Sequence, residues 1–318
     1  MNPSHPLKIV FMGTPELAAY ILEALVAAAG ANFQVVAAVT RPDQPRGRGQ
    51  KAQASEVGAV AVRHQIPLLK PTKIRTAEFL AEIKSFDPDL LVVAAYGRIL
   101  PNEVLSAPRL MPINVHASLL PRHRGASPIE GAILAGDRET GVTIMRISEK
   151  MDAGAMLHSR RIPIAPEETT GSLKRKLGEL GATALLEALE KLRRSDLTET
   201  PQDESLATYT KLVTKADAMI DWNAPAIQIE RMTRAYDPWP VARTIYSGSE
   251  LLIYHARVVA MDAYVAVGTI ASIAPNPIVR CGTGALELLE VQAPGRKRMP
   301  ASDWARGRRV AAGQKFGA

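Results

Sequence analysis

The chain has 318 residues, 47% hydrophobic and 22% charged, enough for about two soluble domains with sizeable cores. Its one cysteine, Cys281, excludes an intramolecular disulfide and a cysteine-rich zinc site, and the scattered histidines suggest no metal at all. The net charge is +7, and from Ala207 onward 14 basic residues face 9 acidic ones, placing +5 of it in the C-terminal part. That excess suggests a polyanionic partner, nucleic acid ahead of a membrane surface because no amphipathic cationic helix stands out, or else serves only solubility. Met1-Asn2-Pro3-Ser4-His5-Pro6 lacks the charged and apolar regions of a signal peptide, and no apolar run is long enough to span a membrane. A cytoplasmic location is expected.

In chain order, Lys8–Met12 reads as a buried strand ending at Gly13. Thr14 offers an N-cap, Pro15 suits a first helical turn and Glu16 favours the positive helix end, so a helix is expected to run to about Ala29. Phe33–Thr40 is the next strand, and this βαβ pattern implies a parallel sheet. The first turn, Met-Gly-Thr-Pro-Glu, lacks the glycine fingerprint of a dinucleotide site, which disfavours a nicotinamide cofactor. Arg41–Lys51 carries four bases, one acid, two prolines and two glycines with nothing apolar to anchor it. It is either a solvated connection or a loop that lays cations along phosphates. Helices at Ser55–Gln65 and Thr76–Ser85 precede a buried strand at Leu90–Ala95, after which Tyr96-Gly97-Arg98-Ile99-Leu100-Pro101 leaves the sheet.

A shorter apolar approach, Leu110–Val115, leads into Asn114-Val115-His116-Ala117-Ser118-Leu119-Leu120-Pro121-Arg122-His123-Arg124-Gly125. Alternate side chains of an extended segment share a face, so Asn114, His116 and Ser118 should converge where parallel sheets bind ligands. An amide donor beside an imidazole suits a reaction that builds negative charge on a carbonyl oxygen. A strand end whose polar groups merely satisfy a turn is the alternative. A helix at Ser127–Ala135 and a strand at Thr140–Ile147 follow, then Met151-Asp152-Ala153-Gly154-Ala155-Met156, in which Asp152 sits among small residues. Thr170–Arg193 reads as a long helix with an apolar stripe, and polar Ser195–Ser205 as a linker.

The run from Asn114 to Ile129, Asn-x-His-x-Ser-Leu-Leu-Pro-x-x-Arg-Gly-Ala-x-Pro-Ile, resembles the signature of the folate-dependent formyltransferase family. Met-Gly-Thr-Pro-Glu and the Asp-x-Gly at Asp152 are similar to the same family. Tyr209-Thr210-Lys211-Leu212, Asp217–Trp222 and Arg234-Ala235-Tyr236-Asp237-Pro238-Trp239-Pro240 resemble the branch that acts on methionyl-tRNA rather than the shorter relatives acting on small amines. The resemblance spans Lys8 to about Arg309. It implies a Rossmann-like parallel-sheet catalytic domain over 1–194, a linker over 195–206 and an OB-like β-barrel tRNA-binding domain over 207–318. Within the last, strands are expected at Ala242–Tyr246, Leu251–Met261, Val265–Ile273, Pro277–Cys281 and Ala285–Gln292.

The implied reaction moves a formyl group from 10-formyltetrahydrofolate to the α-amino group of methionyl-initiator tRNA, without a metal. Asn114 and His116 stabilise the developing oxyanion, and Asp152, matching the family's catalytic aspartate, orients His116 and assists proton removal. The folate pocket is expected from Ser118, Leu119, Leu120 and Pro121 together with Tyr96, Gly97, Ile99 and Leu100. The basic loop, through Arg46, Arg48 and Lys51, resembles one that enters the tRNA acceptor arm, and Arg296, Lys297 and Arg298 add a basic surface for tRNA. A monomer is expected. Ala155 departs from the branch, which commonly places a second acid there. The rivals are a formyltransferase for a small amine, with less use for the basic loop, and a noncatalytic RNA-binding relative, whose signature would be loss of Asn114 or His116.

Overall fold

A computed structural model describes residues 5–46, 51–261 and 265–317. The chain divides into two compact units that do not follow its linear order. The first comprises Met1–Pro128, Glu139–Pro163 and Lys174–Lys211; the second comprises Ile129–Arg138, Ile164–Leu173 and Leu212–Ala318. The stretch 195–206, read from sequence as a linker, therefore groups with the first unit.

The alternation read from sequence is present. β1 (Leu7–Gly13), α1 (Glu16–Ala27) and β2 (Phe33–Val39) lead to a short hairpin, β3 (Gln44–Arg46) and β4 (Lys51–Gln53). Then come α2 (Glu56–Arg63), β5 (Leu68–Leu69), α3 (Ala77–Ser85), β6 (Leu90–Ala94), α4 (Asn102–Leu105) and β7 (Met111–His116). After these the chain forms β8 (Arg124–Gly125), α5 (Pro128–Ala135), β9 (Glu139–Arg146), β10 (Met156–Pro163), α6 (Thr170–Arg193) and β11 (Tyr209–Thr210).

The seven-stranded sheet has the order β10-β9-β7-β6-β1-β2-β5. From β5 to β7 the strands are parallel, whereas β9 runs antiparallel to β7 and β10 antiparallel to β9. The parallel sheet expected from sequence thus carries two antiparallel pairings at one edge, with β9 alone running against the other strands. The connection from β9 to β10 is a tight turn around Asp152, too short for the crossover that a parallel pair needs. Ile9–Met12 and Leu90–Ala94 are buried nearly completely, as strands covered on both faces should be. Each large aliphatic side chain taken out of water there contributes about 1.5–3 kcal/mol before entropy is counted.

The helices start where the sequence provides an acceptor. Ser55 Oγ accepts the Gly58 N–H at 2.9 Å to cap α2, and Thr76 Oγ1 accepts the Phe79 N–H at 3.2 Å to cap α3. Thr14 does not cap α1. Pro15 is the residue at that position, and the Thr14 hydroxyl donates instead to the Tyr96 carbonyl at 3.4 Å, tying the exits of β1 and β6 together. Neighbouring β1 is β2 on one side and β6 on the other, so the chain reverses its direction of travel there, and the crevice beyond such strand ends is where open α/β sheets bind ligands.

The second unit contains α7 (Ala226–Ala235), β12 (Ala242–Tyr246), β13 (Ser249–Val259), β14 (Ile270–Ser272), β15 (Ile278–Arg280), β16 (Ala285–Gln292), β17 (Met299–Pro300) and α8 (Ala301–Arg308). Its sheet is antiparallel, in the order β12-β13-β16-β15-β14 with β17 also paired to β16. Trp222, Tyr246, Trp304 and Phe316 form an aromatic centre, with Trp222 and Phe316 stacked at 5.4 Å between ring centroids. α8 exposes Arg306 and Arg308, while its other side buries Ala301, Trp304 and Ala305. Among the described residues no helix is long and apolar enough to cross a membrane.

Candidate active site

Along β7, Ile113 and Val115 are buried on one face, so Asn114 and His116 project from the other, as a two-residue period requires. Asp152 reaches them from the β9–β10 turn. Asn114 Nδ2 lies 3.5 Å from Asp152 Oδ1, and His116 Nδ1 lies 3.7 Å from Asp152 Oδ2. The three residues that the sequence reading assigned to catalysis are therefore brought together. His116 is only 6% exposed and the Asp152 side chain 18%, so the surrounding protein screens their interaction far less than bulk water would.

His116 is oriented differently from the expectation. Its Nε2 lies 2.9 Å from the His123 carbonyl oxygen, which can only accept, so Nε2 carries a proton. The ring is thus held by the main chain at one nitrogen and presents Nδ1 toward Asp152. A neutral ring of this tautomer has a lone pair on Nδ1; only the doubly protonated ring can donate there.

Asp152 has φ 49°, in the left-handed region that a non-glycine residue adopts only when its surroundings hold it. Gly125 donates its backbone N–H to Asp152 Oδ2 at 2.8 Å. Gly154 allows the turn to press on the end of β9, since a Cβ there would stand 1.8 Å from the Arg146 carbonyl oxygen. Ala155, at the position where an acid was expected, joins this turn through its main chain, its carbonyl accepting the Arg146 N–H at 2.9 Å.

Ser118 does not converge with Asn114 and His116. The strand ends at His116, and Ser118, fully buried, donates its hydroxyl to the Arg122 carbonyl at 2.7 Å. The Ser118 carbonyl accepts from Thr143 Oγ1 at 2.8 Å, and the same Oγ1 accepts the Leu120 N–H at 3.1 Å. Its role is to fix the turn through Leu119, Leu120 and Pro121, of which Leu120 is buried and the other two are partly exposed. The 96–100 segment leaves β6, whose Val93 pairs with Asn114, so its start lies beside the polar end of β7. Tyr96 is buried with its hydroxyl lacking a partner among the described residues, Gly97 accepts from the Arg41 guanidinium through its carbonyl, Ile99 is 74% exposed, and Leu100 packs on the core. Burial pushes the Tyr96 hydroxyl above its ordinary pKa.

Of the basic residues, Arg46 and Lys51 pair across the β3–β4 hairpin, while Arg48 lies outside the described residues. Arg296 and Lys297 are exposed in the second unit. Arg298 is engaged within its own unit, its guanidinium 3.4 Å from the Tyr254 ring centroid and 2.7 Å from Asp237 Oδ1.

The sequence reading missed two residues beside Asp152. Arg124 is 1% exposed and spends all five of its N–H groups: Nε and Nη2 on Gln202 Oε1 (3.0 and 2.8 Å), Nη1 and Nη2 on Glu204 (3.0 and 2.8 Å), and Nη1 on the Tyr209 hydroxyl (3.0 Å). The Glu204 carboxylate raises the Arg124 pKa, and Arg124 lowers that of Glu204. Gln202 in turn donates both Nε2 hydrogens, to the carbonyls of Asp152 (2.8 Å) and Gly154 (2.7 Å). Nothing in the composition of 195–206 signals this role, because a polar stretch reads alike whether it is solvated or folded back.

The formyl transferase family profile matches residues 7–189, and that of the formyl transferase C-terminal domain matches 212–309. The methionyl-tRNA formyltransferase of Roseiflexus sp. (strain RS-1) is 48% identical over 98% of this chain and 96% of its own. Two solved structures share the fold at much lower identity. HypX from Aquifex aeolicus in complex with tetrahydrofolic acid has a TM-score of 0.60 at 18% identity, covering 98% of this chain and 49% of that one. WlaRD, a sugar 3N-formyl transferase, has a TM-score of 0.65 at 16% identity, covering 92% and 100%. With both domain profiles matched and near half of its residues shared end to end, this chain belongs to the methionyl-tRNA formyltransferase branch of the formyl transferase family.

Proposed function

We propose that this protein acts in the cytoplasm as a monomer and transfers the formyl group of 10-formyltetrahydrofolate to the α-amino group of methionyl-initiator tRNA. The reading is carried by the meeting of Asn114, His116 and Asp152 at the end of β7. The attacking ammonium gives up a proton through water to Asp152, and the neutral amine forms a C–N bond to the formyl carbon as the C=O electron pair moves onto oxygen. Asn114 turns one Nδ2 hydrogen toward Asp152, and its second amide hydrogen meets that oxyanion. His116 in its doubly protonated form donates from Nδ1 to the same charge. Collapse re-forms the C=O and breaks the bond to N10 of the folate; the attacking nitrogen, cationic once the C–N bond has formed, gives its second proton through water to N10, which departs as tetrahydrofolate, and the first proton passes from Asp152 to solvent.

The 118–121 turn and the 96–100 segment flank the end of β7 and supply the folate pocket. The basic stretch Arg41–Lys51, through Arg46, Arg48 and Lys51, and the second unit, through Arg296 and Lys297, contact the tRNA. The test is formyl transfer from 10-formyltetrahydrofolate to methionyl-initiator tRNA. Asn114→Ala should lower kcat by about 10²–10³, as loss of one oxyanion donor does, with little change in KM. Turnover on an amino-sugar nucleotide but not on the charged tRNA would overturn the tRNA assignment and leave the formyl chemistry standing.

A further inference from the structure

Gln202 and Glu204 lie between the two matched family segments, in the stretch that composition alone presents as a connection. In the structure this stretch is tied down along its length. Thr200 pairs with Met156 at the start of β10, and Tyr209 and Thr210 of β11 pair in parallel with Arg124 and Gly125 of β8. Between those anchors, Gln202 makes four hydrogen bonds, the full complement of a side-chain amide: two accepted from Arg124 and two donated to the carbonyls of Asp152 and Gly154.

The arrangement closes into a ring. Arg124 fixes the amide so that its oxygen faces the guanidinium and its nitrogen faces the turn. The amide holds the turn by its main chain, and Gly125, the residue after Arg124, donates to the Asp152 carboxylate. The Asp152 backbone is thus clasped from one side and its carboxylate from the other. A buried guanidinium is costly unless every N–H is paired, so Arg124 has one low-energy placement, and Gln202 inherits it. The clasped residue has a positive φ, a conformation that needs such external support.

We infer that Gln202, braced by Arg124, is a positioning residue that sets the distance of the Asp152 carboxylate from His116 and Asn114. This rests on the reading of Asp152 as the catalytic carboxylate. Gln202→Met preserves length and removes all four hydrogen bonds; Gln202→Glu keeps the acceptor for Arg124 but turns an oxygen toward two carbonyl oxygens. Both should lower kcat by about tenfold or more, since catalysis tolerates displacements of only a fraction of an ångström, while KM for folate and tRNA stays within about twofold.

The decisive measurement is a double-mutant cycle. In an Asp152→Asn background, Gln202→Met should cost almost nothing further, because its effect travels through Asp152. A full, multiplicative loss in that background, or a wild-type kcat in both single variants, overturns the assignment. A second readout does not depend on turnover: the Gly125 amide in a ¹H–¹⁵N spectrum of the full chain reports its bond to Asp152. Its resonance should shift and its exchange quicken in Gln202→Met; an unchanged Gly125 amide overturns the proposal even if activity falls. If the wild-type protein formylates no methionyl-tRNA, the functional reading fails while the Gly125 signal still decides the role of Gln202.

Discussion

The Gly125 N–H and the Asp152 carboxylate are joined by a hydrogen bond of 2.8 Å between the backbone nitrogen and Oδ2, and the glycine is dictated twice over. Its φ is +105°, and a Cβ would stand 2.3 Å from the Thr210 carbonyl oxygen, the strand partner in the β8–β11 pair. Backbone conformation and close approach both forbid a side chain, so Gly125 sits where it must for its amide to meet Asp152.

Gly125→Ala is therefore expected to destabilise the protein by about 1–3 kcal/mol through backbone strain and to lower kcat about tenfold by moving Asp152. Urea unfolding and steady-state kinetics read the two effects separately. A variant with wild-type stability and turnover would show that this hydrogen bond does not constrain the carboxylate.

How much of this was visible in the sequence depends on whether the determining interactions are local. Asn114 and His116 were legible because period-two alternation at the end of a strand is a local property, and β7 realises it. Extending the alternation to Ser118 failed because the strand stops at His116, and the hydroxyl turns back to the Arg122 carbonyl. Thr14 failed as a cap for a similar reason: a tertiary acceptor, the Tyr96 carbonyl 82 residues away, took its hydroxyl. The edge strand β10 went unread because half of Met156–Pro163 is polar and most of it is exposed toward its end. Gln202 was beyond reach, since its importance lies wholly in partners 48 to 78 residues distant.

The basic hairpin makes a prediction about salt. Arg46 and Lys51 are backbone partners in the register of β3 and β4, and the stretch Arg41–Lys51 carries four bases against one acid. Each phosphate neutralised by a cation releases condensed counterions, which makes log affinity fall linearly with log salt concentration. Alanine at Arg46, Arg48 or Lys51 should raise KM for tRNA, leave kcat at saturation nearly unchanged and reduce the salt slope by about 1 for each phosphate left without its cation. Binding of initiator tRNA followed by fluorescence anisotropy across a salt series measures the slope. An unaltered slope in all three variants would remove the hairpin from the tRNA interface.

Glu187 on α6 is a local source of acid sensitivity. It accepts from the Arg160 guanidinium and lies 2.7 Å from His158 Nε2, and its carboxyl is held down to about 2, with the Arg160 hydrogen bond as the largest cause. A folded-state pKa below the ordinary carboxylate value stabilises the fold above the unfolded pKa, and that contribution is lost as pH falls from about 4.5 toward about 2. The Arg160 side chain is 46% exposed, so solvent screening reduces the contribution to about 1 kcal/mol. Glu187→Gln should be less stable than wild type by that amount near neutral pH, and the two proteins should converge in strong acid. Denaturant midpoints across pH check this; a gap independent of pH would assign the loss to packing.

Cys281 sits at the other extreme of accessibility. It is fully buried in the second-unit core among Val279, Leu286 and Trp222, and burial pushes its thiol up to about 11. The thiolate is the reactive species, and both its scarcity and its enclosure suppress attack. The native protein at about pH 8 should therefore resist an aromatic disulfide reagent for as long as it stays folded, then release one equivalent of chromophore in guanidinium chloride, since the chain has one cysteine. The rate of labelling at intermediate denaturant follows opening of the second unit, so the same reagent measures that unit's stability. Rapid stoichiometric labelling without denaturant would mean that the core around Cys281 opens far more readily than its packing implies.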